Sequence, residues 1–475
     1  MIHQYKLNGY NIVIDEGSGS VHSVDEVAYD MIAMYNKKSK DDIIQALLTK
    51  YENDTTVTVD ELKECYDDIT ELKENGQLFA DSSYAEQAVD FKNRNHIIKA
   101  LCLHIAHTCN LNCSYCFAGQ GKYQGERALM SFEVGKQAID FLIANSETRR
   151  NLEVDFFGGE PLMNWEVVKE IVGYARSIEK EYNKNFRFTL TTNGMLIDDD
   201  VIDFANQEMH NVVLSLDGRK EVHDRLRVDY KGVGSYDRIV PKFKHFVEKR
   251  GNRGYYMRGT YTHNNTDFTN DIFHMADLGF TELSMEPVVC SPNDPYALTK
   301  DDLPKLYEQY EILAKEMLKR QKEGRPFTFY HYMLDLEHGP CIYKRVAGCG
   351  SGTEYMAVTP TGELYPCHQF VGDSAYKLGD IWQGVTNTAV QEKFRKCNVF
   401  SRHECDDCWA RLYCSGGCAA NSYHATGDIT GIYEYGCKLF RKRIECAIML
   451  KVAQAEAEFD TDNSSTCDSN CDNCY

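Results

Sequence analysis

The sequence predicts an α/β fold: a partial (β/α)6 barrel or parallel sheet, with a small α/β module before it and a metal-organised domain after it. Three observations carry this. Strand-like and helix-like stretches alternate from residue 97 to about residue 300, the pattern of successive βα units. Nineteen cysteines occur in 475 residues, and the start, MIHQYKLNGYNIVIDEG, lacks an apolar export segment. In such a chain thiols serve metal rather than disulfides. Most of them follow residue 340, where glycine is frequent and long periodic apolar stretches are few.

Residues 1–92 form the first module. Short β-like runs, Asn11–Ile14 and then Val21, flank the turn Glu16-Gly-Ser-Gly19. Ser39 suits a helix N-cap, with Asp42 three residues on. A further helix begins near Thr58. Its Leu62, Cys65, Tyr66, Ile69 and Leu72 share one face at helical spacing, and Gly76 suits the C′ position. Leu78-Phe79 would start a last short strand. Strands followed by three helices make a winged-helix-like layout, and the charged stretch Asp90–Asn95 reads as its linker.

Residues 93–300 hold the barrel. Strand candidates are Ile97–Ile105, Leu152–Phe157, Phe186–Thr191, Val212–Leu216, Tyr255–Tyr261 and Glu282–Val289, with helices such as Ser131–Asn145 and Trp165–Tyr182 between. Ligands then belong at the carboxyl ends of the strands. Residues 301–340 bridge, mainly by a helix over Asp301–Gln321. Residues 341–450 are the cysteine-rich domain, in which metal replaces part of a hydrophobic core. Residues 451–475, acidic and polar, read as a disordered Cys-containing tail.

A net charge of −20 argues against nucleic acid as a partner. No run of about 18 apolar residues occurs, so no membrane span is expected, and the cytoplasm is the expected location.

The sharpest motif, His107-Thr-Cys-Asn-Leu-Asn-Cys-Ser-Tyr-Cys-Phe117, follows the first barrel strand with the spacing C-x3-C-x2-C. Three thiolates can hold three irons of a [4Fe-4S] cube and leave the fourth open. On spacing alone a structural zinc site is the alternative, although zinc takes four ligands in two paired sets and no fourth lies nearby. Phe157-Gly-Gly-Glu-Pro161 ends the second strand. Its glycines let backbone approach a ligand, and Glu160 can accept from an ammonium group. Thr191-Thr-Asn-Gly194 and Leu214-Ser-Leu-Asp-Gly218 end the next strands. Further on come Cys349-x12-Gly362-x4-Cys367, then Cys405-x2-Cys408-x5-Cys414-x3-Cys418, then Cys437. Cys467-x3-Cys471-x2-Cys474 repeats the first spacing in the tail. Cys65, Cys102, Cys290, Cys397 and Cys446 read as ordinary buried thiols. No Ser-His-Asp arrangement or HExxH motif occurs, so no acid–base residue is assigned.

C-x3-C-x-aromatic-C after a first strand resembles the radical S-adenosylmethionine (SAM) superfamily. The resemblance implies a [4Fe-4S] cluster on Cys109, Cys113 and Cys116 whose open iron is chelated by SAM. It implies contacts to the SAM amino group from Gly158, Gly159 and Glu160, with Thr192 and Asn193 alongside. Ser215 and Arg227 would meet the carboxylate, Tyr115 the adenosyl part, and Val289 the adenine or ribose. The seven later cysteines resemble the SPASM domain. That implies two auxiliary [4Fe-4S] clusters, three in all. One is held by Cys405, Cys408, Cys414 and Cys437, the other by Cys349, Cys367 and Cys418. The fourth ligand of the latter is Cys341 or a substrate thiolate. The first module resembles PqqD-like domains, which take a leader peptide as an added strand. Together the parts resemble ranthipeptide and sactipeptide maturases, most of all the SCIFF maturases. That implies thioether cross-linking of a Cys-rich precursor peptide bound through its leader, with an electron donor such as a flavodoxin or ferredoxin. Sulfatase-maturase-like oxidation of a Cys or Ser residue is the alternative within the family. A non-catalytic Fe–S redox protein is the alternative outside it.

Overall fold

In a computed structural model, which describes residues 1–81, 97–123, 125, 127–336 and 342–467, the chain opens with an antiparallel sheet. Its strands are β1 (Ile2–Leu7), β2 (Tyr10–Asp15) and β3 (Val21–Val24), in that order across the sheet. Alternation along β2 sets the packing: Ile12 and Ile14 join the main core, while Val13 faces the module's own helices. Those helices are α1 (Glu26–Met34), α2 (Lys40–Lys50) and α3 (Val59–Glu74). Ser39 caps α2 by accepting from the Asp42 N–H, and Thr58 forms a capping box with Glu61 on α3. Strand β1 was not foreseen. Leu78-Phe79 forms no strand: the Gln77 and Leu78 amides both return to the Leu72 carbonyl, closing the helix, and Phe79 is left-handed at φ 54.

The barrel follows as β4 (Ala100–Ala106), α4 (Phe132–Ala144), β5 (Asn151–Gly158), α5 (Trp165–Ile178), β6 (Asn185–Thr192), α6 (Asp199–Glu208), β7 (Met209–Ser215), α7 (Lys220–Leu226), α8 (Tyr236–Arg250), β8 (Tyr255–Tyr261), α9 (Thr269–Asp277) and β9 (Glu282–Pro287). All six strands are parallel and neighbour one another in chain order. Even residues of β5 and β6, among them Phe156, Phe186 and Phe188, are buried in the core, as period-2 side-chain placement requires.

The open barrel has both edges covered. After α10 (Leu303–Lys322), β10 (Thr328–Phe329) pairs with β9. After α11 (Ile342–Ala347), β11 (Tyr355–Val358) pairs parallel to β4 and is continued by antiparallel β12 (Glu363–Tyr365), β13 (Gly379–Asp380) and β14 (Gly384–Val385). The eleven-stranded sheet therefore runs through the boundary expected at residue 340/341. Pairing at both ends protects the exposed ladder groups of the barrel strands. Helices α12 (Thr388–Lys396), α13 (Arg411–Cys414), α14 (Ala419–Thr426) and α15 (Glu434–Cys467) complete the chain.

The expected disordered tail is helix as far as Cys467. Ala453-Gln-Ala-Glu-Ala-Glu458 is made of strong helix formers, and acidic composition alone hid that. Cys341, Cys471, Cys474 and the linker Asp90–Asn95 lie outside the described residues. Among the described residues no helix is long and apolar enough to cross a membrane.

Candidate cofactor and cluster site

The loop leaving β4 folds back on itself, with the Cys116 amide donating to the Cys113 carbonyl and the Leu111 amide to Cys109 Sγ at 3.4 Å. Burial pushes the Cys109 thiol up to about 12, and Glu160, Cys113 and Cys116 add to it. Cys113 rises to about 11 through burial, with Arg227 opposing and Cys116 adding. The three thiols thus lie near enough to influence one another, and all three line the same cavity. The later cysteines gather in two further sets. Cys367 feels Cys418 and Cys349, whereas Cys414 feels Cys437, Cys405 and Cys408. No group of three or more His, Cys, Asp or Glu side chains among the described residues has the closeness of a single-ion site.

The glycines at the end of β5 are required by contact. A Cβ on Gly158 would lie 2.5 Å from the Ala106 carbonyl oxygen, and one on Gly159 would lie 2.1 Å from the Thr108 oxygen. Backbone of the β5 end therefore lies directly against the cysteine loop. Glu160 ties this end to the next strand. Its Oε1 accepts from Thr192 Oγ1 at 2.8 Å and the Leu162 amide at 3.1 Å, and its Oε2 accepts from the Asn193 amide at 2.8 Å. Burial raises the carboxyl to about 7, against those three bonds. Asn193 Nδ2 in turn reaches Cys109 Sγ at 3.5 Å. Glu160 is thus first an organiser of the two strand ends, with lone pairs left over for a ligand.

All nine residues expected to contact SAM line one cavity of ≈ 690 Å³: Tyr115, Gly158, Gly159, Glu160, Thr192, Asn193, Ser215, Arg227 and Val289. Cys109, Cys113 and Cys116 open onto it, as do Cys349 and Cys418 of one later set and Cys414 and Cys437 of the other. Cys367, Cys405 and Cys408 do not line it. Four residues given no role by sequence also line it: Arg258, Glu286, His331 and Arg443. Glu286 Oε1 lies 3.0 Å from His331 Nε2, and Oε2 lies 3.8 Å from Arg443 Nη1. Burial would raise Glu286, but His331, Arg443 and Arg258 outweigh it and hold the carboxyl at about 2. No local spacing links β9, the turn after β10 and α15, so no sequence signal marked this group.

Comparison with known proteins agrees with this geometry. Residues 103–275 match the family model of the Radical SAM superfamily, and residues 349–409 match the SPASM iron-sulfur cluster-binding domain. The chain thus carries a radical SAM region followed by a SPASM region. Among its relatives is a cysteine-type anaerobic sulfatase-maturating enzyme of Clostridium novyi, 27% identical over 66% of this chain and 85% of that one. Another is the radical SAM cyclopropyl synthase TigE of Paramaledivibacter caminithermalis, 22% identical over 89% of each chain. In fold the chain is similar to native anSMEcpe with bound AdoMet, with TM-score 0.62, 21% identity, and coverage of 76% of this chain and 99% of that one. It is also similar to Streptococcus suis SuiB bound to precursor peptide SuiA, with TM-score 0.51, 15% identity, and coverage of 91% and 97%.

These two domains imply SAM and [4Fe-4S] clusters, and the residues present fit both. The donors are thiols, seven of which line the cavity, and the absent Cβ atoms of Gly158 and Gly159 let the cysteine loop pack directly against the end of β5 beside it. Gly159→Ala is accordingly expected to cut deoxyadenosine formation to below about a tenth, because a contact of 2.1 Å to backbone forces the loop aside at a cost of roughly 1–3 kcal/mol. Unaltered formation in a high-performance liquid chromatography assay would contradict this.

Proposed function

We propose that this protein is a radical SAM maturase that joins Cys thiols of a Cys-rich precursor peptide to carbons of the same peptide as thioethers. One observation carries the reading: a single cavity is lined by the SAM-contact set around Cys109, Cys113 and Cys116 and also by cysteines of both auxiliary sets. A carbon opened at one wall and a thiol held at another would meet in one enclosed space, where proximity replaces a bimolecular encounter. When bound and reduced, SAM supplies a 5′-deoxyadenosyl radical able to remove hydrogen from an unactivated carbon.

The chain's own residues orient and enclose. Cys109, Cys113 and Cys116 hold the SAM cluster. Cys405, Cys408, Cys414 and Cys437 hold one auxiliary cluster. Cys349, Cys367 and Cys418 hold the third, completed by Cys341 or by the substrate thiolate. Ser215 and Arg227 receive the SAM carboxylate, and Gly158, Gly159 and Glu160 its amino group. Strand β3 pairs with β2 alone among the described strands, which leaves an edge on which a leader peptide can add as a strand. Streptococcus suis SuiB, similar in fold, is bound to a precursor peptide, and this supports a peptide substrate here. A flavodoxin or ferredoxin would deliver the electron.

Glu286 and His331 in the same cavity favour a second reading, oxidation of a substrate Cys or Ser as in sulfatase maturation, which needs a base. Against burial, the His331 ring and the charges of Arg443 and Arg258 hold the Glu286 carboxyl well below the usual range, which weakens it as a base, while burial keeps His331 neutral and able to take a proton. Mass spectrometry of a co-expressed Cys-rich peptide decides between them. The expected product has lost two hydrogens and one alkylatable thiol per bridge and resists reductant. An unchanged mass, or a lost thiol without a cross-linked fragment, would sink the thioether reading.

A further inference from the structure

Three elements of the SAM site meet at one carboxylate. Asp217 lies two residues past Ser215 at the end of β7 and is 0% exposed. Its Oδ2 accepts from the Tyr115 hydroxyl at 2.8 Å and from Arg227 Nε at 2.8 Å. Its Oδ1 accepts from Arg227 Nη2 at 3.1 Å and from the Thr260 amide, on β8, at 2.9 Å. Four donors converge on two oxygens, so the buried charge is fully engaged. The backbone is held as well. The Asp217 amide donates to His223 Nδ1 at 3.2 Å, His223 Nε2 meets Ser235 Oγ at 2.8 Å, and Ser235 Oγ donates to the Arg227 carbonyl at 2.9 Å. Tyr115 sits between Cys113 and Cys116, and the Arg227 guanidinium lies over its ring at 5.4 Å.

We propose that Asp217 is the positioning residue of the SAM site, holding Arg227 and Tyr115 in the orientation in which they receive SAM and offsetting the Arg227 charge beside Cys113. The role rests on the SAM reading of the cavity and adds to it a residue that does not line the cavity itself. An unrestrained arginine must be ordered when its ligand arrives, and that ordering weakens binding. Here the guanidinium is gripped on two of its nitrogens before the ligand comes. The second effect is electrostatic. Removing the Asp217 charge would leave Arg227 uncompensated next to a cluster ligand, which favours the reduced, more negative cluster.

Asp217→Asn in the full-length, iron-reconstituted protein tests both effects. Without peptide, the KM for SAM in dithionite-driven deoxyadenosine formation and the dissociation constant by equilibrium dialysis are expected to rise about tenfold or more, the loss of charge-assisted hydrogen bonds. The kcat at saturating SAM should stay within about threefold, since the variant binds the same ligand in the same cavity. Iron content should be unchanged, and the midpoint of the SAM-cluster signal by redox-poised electron paramagnetic resonance should move positive. Asp217→Glu should recover part of the affinity, and Tyr115→Phe, which removes one donor, should show a smaller rise in KM. Wild-type protein that binds no SAM would overturn the reading of the cavity and this role with it. Wild-type binding with Asp217→Asn unaltered in affinity and potential would overturn this role alone. Loss of iron and kcat with unaltered KM would also overturn it, by showing a purely structural carboxylate.

Discussion

Cys113→Ala is expected to abolish deoxyadenosine formation while lowering total iron by only about a third, the share of one cube among the three proposed. The argument is one of geometry and independence. Cys113 feels Arg227 and Cys116 and is felt by Cys109, and the three cysteines of the loop between β4 and α4 line one cavity. A cube left with two protein thiolates on that loop has neither its anchoring nor the single open iron that chelation needs. The remaining thiols are on other segments: Cys349 and Cys367 flank β11 and β12, Cys418 precedes α14, and Cys405, Cys408, Cys414 and Cys437 sit around α13 and the start of α15. Their mutual influence stays within each set. Iron assay with electron paramagnetic resonance checks the prediction alongside deoxyadenosine chromatography. Continued SAM cleavage would remove Cys113 from the cluster. Loss of all the iron would show that the auxiliary sets depend on the first loop.

What the chain reveals before folding is the part governed by local rules. Barrel strands such as Phe186–Thr191 against β6 (Asn185–Thr192), or Tyr255–Tyr261 against β8 with the same bounds, are legible because buried apolar runs between turn signals have few other uses. The cysteine loop and the Gly-Gly-Glu-Pro turn are legible because their spacing is itself the chemistry. Strands β10 to β14 are two to four residues long and owe their existence to partners far away in sequence, β11 to β4 above all. No window of sequence contains that information. The same reason hides the Glu286, His331 and Arg443 group. Asp217 lay inside a quoted motif, yet its role depends on Tyr115 and Arg227, which other elements carry to it. The segment up to Cys467 is hidden differently: its acidic composition points to disorder, while the strong helix formers at 453–458 set its structure.

The first module is joined to the cysteine domain by a buried ion pair, and breaking it should free the module. Glu16, in the turn after β2, meets Arg411 Nε at 2.8 Å, with side chains only 5% and 9% exposed. Arg411 Nη1 also donates to the Asp406 carbonyl at 3.1 Å, inside the loop between Cys405 and Cys408. Nearby the His3 ring of β1 stacks on Trp409 at 4.0 Å, nearly parallel, and the Tyr5 hydroxyl donates to the Glu445 carbonyl at 2.8 Å. The module therefore rests on the very loop proposed to hold an auxiliary cluster. Arg411→Ala takes the guanidinium from Glu16 and leaves it the Met1 ammonium at 3.7 Å, and removing one member of a buried pair costs up to about 3–5 kcal/mol. If that cost falls on module docking, amide exchange in β1 and β2 should accelerate on the order of 10²-fold or more, since each 1.4 kcal/mol is about tenfold. Exchange in β5 and β6, deep in the barrel, should not change. Glu16→Gln together with Arg411→Met, which removes both charges, should recover much of the protection, because part of the penalty is the buried carboxylate's loss of its strongest partner. Hydrogen–deuterium exchange followed by mass spectrometry reads all of these. Unchanged exchange in β1 and β2 of Arg411→Ala would show that apolar packing of Tyr5, Leu7, Ile12 and Ile14 against the core holds the module by itself.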